Sequence, residues 1–85
     1  ARLRLLLWNT WGLHQTKLDD PAVRRIMACA DVAMFTETHA ASHAAAAALS
    51  SPGFTALHSV RPCDGPGRGG AAVFVRAGLA GHVQL

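Results

Sequence analysis

Asn9 and Glu37 are the residues whose types and positions suggest chemistry. Glu37 follows a short apolar run, residues 32–35, within the segment Asp-Val-Ala-Met-Phe-Thr-Glu-Thr-His at 31–39. That run is too short for an ordinary helix and has an acid just before it. It reads as a buried strand that delivers Glu37 at its carboxyl end. Asn9 ends an earlier apolar run, 5–8, in the same way. In open α/β sheets, ligand chemistry collects at the carboxyl ends of strands. An amide oxygen and a carboxylate at neighbouring strand ends are hard donors suited to Mg²⁺, which takes one or two protein carboxylates and keeps waters and substrate phosphates. Singly, Asn9 is an ordinary turn residue and Glu37 an ordinary solvated strand end. The pair is what suggests a metal.

Other candidates are weaker. His39 and His43 are four apart and would share a face if both were helical, which with Glu37 hints at zinc. The residues between them are Ala40, Ala41 and Ser42, without the Glu that activates water in His-Glu-x-x-His sites, and no third ligand is near. They read as solvated helix-face histidines. Residues 65–70, Gly-Pro-Gly-Arg-Gly-Gly, look like a phosphate cradle, but phosphate loops open a helix and here a β-rich run follows. The reading is a tight loop with glycines at positive φ, from which Arg68 could reach a backbone phosphate. Ser50, Ser51 and Ser59 lack the setting of a nucleophile elbow. Trp8 and Trp11 read as core and rim aromatics, and Trp11, close after Asn9, is also placed to stack on a base.

The elements that position these residues can be followed in order. Arg2-Leu3-Arg4-Leu5 alternates and 5–8 is apolar on both faces, as in a strand entering a buried middle. Residues 14–18 read as a polar connection. Asp20 and Pro21 start a helix, and Val23, Ile26, Met27 and Ala30 form one apolar stripe, with Arg24 and Arg25 facing water. The strand at 32–37 follows, and a right-handed crossover lays it parallel to the first, so that Asn9 and Glu37 emerge at one end of the sheet. The alanine-rich stretch 40–49 is a helix that packs loosely, stopped by Ser-Ser-Pro-Gly at 50–53. Strands at 54–60 and 71–76 pair antiparallel across a Pro/Gly loop, 62–70, and Gly78, Gly81 and His82 turn the chain. The order is β-α-β-α-β-β, an α/β fold in one unit, 1–85.

The bulk numbers restrict the classes. The chain has 85 residues, a net charge of +3 and 51% hydrophobic residues, many of them alanine. Such a chain has room for one small, marginally stable domain. Its sequence pI of about 9.7 is compatible with a polyanionic partner, but its seven arginines and single lysine are scattered rather than clustered. Cys29 and Cys63 read as reduced thiols of an intracellular protein rather than as a disulfide framework. No apolar run approaches the roughly 18–20 residues of a membrane span, and the first 13 residues lack a signal-peptide cleavage site. The chain starts at Ala1 and stops at Leu85 soon after a strand, so it is expected to be a piece of something longer.

Three segments in this order carry a resemblance: Trp8-Asn9-x-x-Gly12-Leu13; Asp31-Val32 with Glu37-Thr38-His39; and Gly67-Arg68-Gly69-Gly70-x-x-Val73-Phe74-Val75-Arg76. Together the chain resembles the start of the endonuclease/exonuclease/phosphatase superfamily, most like the apurinic-type endonuclease domain of non-LTR (LINE-like) retrotransposons. The resemblance implies the N-terminal portion of a four-layered, DNase I-like α/β sandwich that hydrolyses phosphodiesters with Mg²⁺ or Mn²⁺. Such a domain nicks target DNA so that the 3′-hydroxyl primes reverse transcription, in the nucleus if it belongs to a retroelement. Asn9 matches the family's strand-end asparagine near metal and phosphate, and Glu37 its metal-ligating glutamate. Trp11 stands where the family often has Asp or Asn, and Thr36 where it usually has Gln. The chain has no Tyr, and the family's later tyrosine, Asp, Asn and terminal Asp-His pair have no counterpart here. The piece alone is therefore expected to be inactive, lacking a base worth about 10²–10⁴-fold, and to expose apolar sheet faces and strand edges. Alternatives are an abasic-site repair nuclease or a lipid or inositol phosphatase of the same superfamily, and a non-catalytic remnant or binding module using its basic surface.

Overall fold

A computed structural model describes residues 3–40, 42–60 and 69–82. Four strands form one mixed sheet: β1 (Leu5–Asn9), β2 (Val32–Thr36), β3 (Phe54–Ser59) and β4 (Ala71–Arg76), in the order β1-β2-β4-β3. β1 and β2 are parallel, and β4 runs antiparallel to both β2 and β3. Between the strands lie α1 (Gln15–Asp19), α2 (Pro21–Ala28) and α3 (His43–Ala47), and a 3₁₀ segment, Ala77–His82, follows β4. The fold is mixed α/β, as expected.

α2 starts as its sequence dictates. The Asp20 carboxylate accepts the Ala22 N–H at 2.8 Å, and Pro21 occupies the first turn, where no N–H is needed. Its Met27 and the following Ala30 are buried, but Ile26 is 54% exposed. The expected stripe is therefore narrower than its spacing suggested. Ile26 instead lines an open groove of about 350 Å³ between α2 and β1, with Leu6, Leu7, Trp8, Ala22 and Val23.

Residues 14–18 are not a plain connection. They enter α1, whose Leu18 is fully buried, and the Gln15 side-chain amide bonds both the N–H and the C=O of Ser50. One apolar residue in a polar segment was enough to anchor a helical turn on the core. α3 is shorter than the alanine run. The Ser42 hydroxyl caps it by accepting the Ala45 N–H, and only Ala46 of its residues is buried. The chain before it is held elsewhere: the His39 N–H is bonded to the Gly69 carbonyl and His39 has a left-handed backbone.

The two faces of the sheet differ. On the helix-covered face Leu18 and Met27 pack with Ala33, Phe35, Ala72 and Phe74. Trp8, Phe35, Phe74 and His58 make a chain of edge-to-face ring contacts, at 5.9, 5.4 and 5.9 Å. Burial holds the His58 imidazole below its ordinary pKa, and its Nε2 is buried with no hydrogen-bond partner among the described residues. The other face is open. Leu7, Met34, Val73 and Leu57 stand in one cross-strand row, with Leu7 73%, Met34 37% and Leu57 48% exposed. The run 5–8 is thus buried on one face only, since no described element covers Leu5 and Leu7.

Arg76 locks one end of the sheet. Its guanidinium donates to the carbonyls of Met27, Ala28 and Ala30 at the end of α2, lies 3.5 Å from Asp31 Oδ1, and sits 5.1 Å above the Phe54 ring. A cation on the carbonyl end of a helix is favourable.

Candidate metal centre

The site lies at the opposite end of the sheet. Strand register puts Asn9 opposite Thr36, Thr36 opposite Ala71, and Ala71 opposite Ser59. Asn9 is exposed at the last position of β1, and Glu37 follows the last residue of β2. The parallel pairing expected from the strand-helix-strand order therefore brings the two residues out at the same edge.

Beyond the strands, three loops continue the pairing. The Thr10 N–H donates to Thr36 O at 2.9 Å, the Gly12 N–H to Glu37 O at 2.6 Å, and the Leu13 N–H to Thr38 O at 2.9 Å. On the other side, Thr38 N–H reaches Gly70 O at 3.4 Å and His39 N–H reaches Gly69 O at 2.8 Å. The Thr10 hydroxyl, nearly buried, adds bonds to Thr36 O and Glu37 O. Residues 36–39 are gripped between the loops after β1 and before β4.

Held this way, the chain adopts unusual backbone geometry. Trp11, Glu37 and His39 have φ of 50°, 56° and 56°, and Gly12, Gly69 and Gly70 are also positive. A bulky or charged residue in the left-handed region is strained, and such residues concentrate at functional sites. The left-handed turn leaves the Glu37 side chain 39% exposed, with its Oε2 2.9 Å from His39 Nε2. His39 also meets the Trp11 ring edge to face at 5.9 Å. No family model and no curated protein matches the chain.

His39 and His43 do not share a helix face: His39 lies in the left-handed turn before α3, and His43 opens α3. Among the described residues, no group of three or more His, Cys, Asp and Glu could hold a metal. Asn9 is outside that count, and Mg²⁺ needs only one or two carboxylates. A part-exposed carboxylate bonded to an imidazole, with an exposed amide at the same edge of the sheet, is a donor set suited to a hard, largely hydrated cation. Trp11 is 77% exposed at the rim. Arg68 lies outside the described residues, as does Cys63, while Cys29 is a free, exposed thiol. No helix among the described residues is long and apolar enough to cross a membrane.

Sequence reasoning missed Lys17, which was only a scattered cation. Its ammonium donates to the carbonyls of Thr10 and Gly12, under the turn that carries Trp11. Its one-turn helix gave no periodic signal that could have revealed it. His39, read as a solvated helix-face histidine, sits in a left-handed turn instead. Its bond is to the carboxylate two residues before it, a pairing that a helix would forbid and a left-handed turn allows.

Proposed function

We propose that the chain belongs to a Mg²⁺- or Mn²⁺-dependent phosphodiesterase of the endonuclease/exonuclease/phosphatase kind, acting on DNA as a retrotransposon-type nicking endonuclease. The observation that carries this reading is the convergence of segments 9–13, 36–39 and 69–70 around Glu37. These are the segments in which the sequence resemblance lies. Glu37 and Asn9 are the residues that would hold the cation, which when bound neutralises charge on a phosphodiester and polarises it toward attack. His39 fixes the orientation of the Glu37 carboxylate.

The finer fold is part of the same proposal. In a four-layered sandwich a second sheet packs on the first, and the open row of Leu7, Met34, Val73 and Leu57 is the surface such a layer would cover. Asn9, Thr36 and Ser59 stand one pleat beyond that row, at the rim of the covered area.

A module that binds through its basic surface alone is less well supported. The Arg4 guanidinium lies 3.9 Å from Asp31, Lys17 donates to two carbonyls, Arg24 pairs with Asp19 at 2.9 Å, and Arg76 is fixed on α2. These four cations are engaged within the fold, although the Arg4 and Arg24 side chains stay 62% and 47% exposed and Arg25 is exposed as well.

The test is Mn²⁺ titration followed by amide NMR spectra. Paramagnetic broadening should centre on residues 9–12 and 36–39, and Glu37→Gln should weaken Mn²⁺ binding tenfold or more. Broadening that is unchanged in Glu37→Gln, or centred elsewhere, would remove the metal assignment.

A further inference from the structure

Trp11 presents a contradiction that packing does not resolve. It is a bulky aromatic in a left-handed backbone conformation, φ 50°, yet it is 77% exposed. A residue held in strain for the sake of the core would be buried. Its surroundings fix its backbone from both sides instead. The N–H groups of Thr10 and Gly12 are bonded to Thr36 and Glu37, and the carbonyls of the same two residues accept from the single ammonium of Lys17. Both peptide units flanking Trp11 are thereby pinned, and the indole has only its side-chain torsions left. Its one described ring contact is the edge of His39, whose Nε2 holds Glu37.

We propose that Lys17 is a positioning residue that pre-organises Trp11 as a stacking platform for an unpaired nucleobase beside the Glu37 end of the sheet. The inference rests on the nucleic-acid reading above and adds a residue and a ligand contact to it. An exposed ring on a pinned backbone suits this task, since every base has a π-face and only the side-chain torsions are left to order on binding. Lys17 itself makes no phosphate contact in this scheme, because its ammonium is turned inward onto carbonyls.

The test is a double-mutant cycle on the binding of a short single-stranded oligodeoxynucleotide, read by fluorescence anisotropy in EDTA so that no divalent cation contributes. Stacking is worth about 1–3 kcal/mol per base, so Trp11→Ala should weaken binding roughly 5- to 150-fold. Lys17→Met should weaken it severalfold in the parent chain and not at all in the Trp11→Ala background. Lys17→Arg, which keeps a cation under the turn, should recover part of the loss. The slope of log affinity against log salt should be the same for the parent and Lys17→Met. An equal loss with and without Trp11, or a slope reduced by about one, would make Lys17 a phosphate-contacting charge and overturn the proposal. Thermal unfolding of each variant identifies misfolding, and if Lys17→Met does not fold, the Trp11 dependence of the Lys17→Arg effect decides in its place. Oligonucleotide binding by neither the parent nor any variant would overturn this inference and the DNA reading together. Additivity with Mn²⁺ binding intact would overturn this inference alone.

Discussion

Gly70 makes the sharpest prediction, because the fold contains its own control. Gly70 and Gly53 have the same φ, +82°. A methyl group at Gly53 would meet nothing within 4 Å, whereas one at Gly70 would lie 2.7 Å from Thr38 Oγ1 and 3.0 Å from the Ser59 carbonyl oxygen. Gly53→Ala therefore costs only the left-handed penalty, less what the stiffer unfolded chain returns, about 1 kcal/mol in all. Gly70→Ala adds overpacking against a buried threonine and a strand carbonyl, a further ~1–3 kcal/mol, for a total of about 2–4 kcal/mol. Urea denaturation of the two variants measures the difference. Thr38→Ala should relieve part of the Gly70→Ala cost and none of the Gly53→Ala cost, since only the first clash involves its hydroxyl. Thr38 lies between Glu37 and His39, so Gly70→Ala should also weaken Mn²⁺ binding while Gly53→Ala leaves it intact. Equal costs at the two glycines, within about 0.5 kcal/mol, would refute the close approach of Gly70 to Thr38 on which the grip around Glu37 depends.

Two further predictions concern stability. Arg76→Met should destabilise the fold by about 2 kcal/mol in urea denaturation, as charge-assisted bonds to the end of α2 are lost, with Arg76→Lys between the two; no loss would mean that the guanidinium contacts contribute nothing. Desolvation lowers the His58 pKa from its ordinary 6.5. Below that pH the unfolded chain binds a proton that the folded chain does not, so stability is constant with respect to His58 above about pH 6.5 and falls as pH drops toward the lowered folded value. His58→Phe should flatten this part of the pH–stability profile between pH 7 and 5.5, and an unchanged profile would show that His58 ionises freely in the fold.

β1, β2 and β4 were legible because each is a short, largely apolar run bounded by turn residues, and β4 falls on the stretch that its β-branched and aromatic residues mark. α2 was legible because Asp20-Pro21 is a local signal that needs no tertiary context. α1 was not, since Leu18 offers a single apolar residue where periodicity needs several. The length of α3 was overestimated because alanine propensity carries no boundary signal, whereas the fold caps the helix with Ser42 and holds His39 on Gly69 before it. Half-burial of β1 was equally hidden, for a leucine run looks the same whether one face or both are covered. At the site, strand direction alone placed Asn9 and Glu37 at one edge. The left-handed backbone at Glu37 and His39 left no trace in the sequence, because no glycine marks those positions.

Those conformations bear on function. All three non-glycine residues with positive φ among the described residues, Trp11, Glu37 and His39, belong to this one edge of the sheet. Each costs about 1–3 kcal/mol, a large share of what a domain of this size has to spare. Burial does not repay the cost at Trp11, which is exposed, and does so only in part at Glu37, whose side chain is 39% exposed. The strain persists because neighbouring segments over-determine the backbone: the first loop through Gly12, the last through Gly69 and Gly70, and Lys17 from beneath. Relaxing it would require only a residue tolerant of the left-handed region, such as glycine or asparagine, at any of the three positions. A surface that merely bound a partner by charge would have no use for a carboxylate, an imidazole and an indole held in conformations they disfavour. The proposed site, which would present a carboxylate oxygen to a cation beside an exposed ring on a pinned backbone, does.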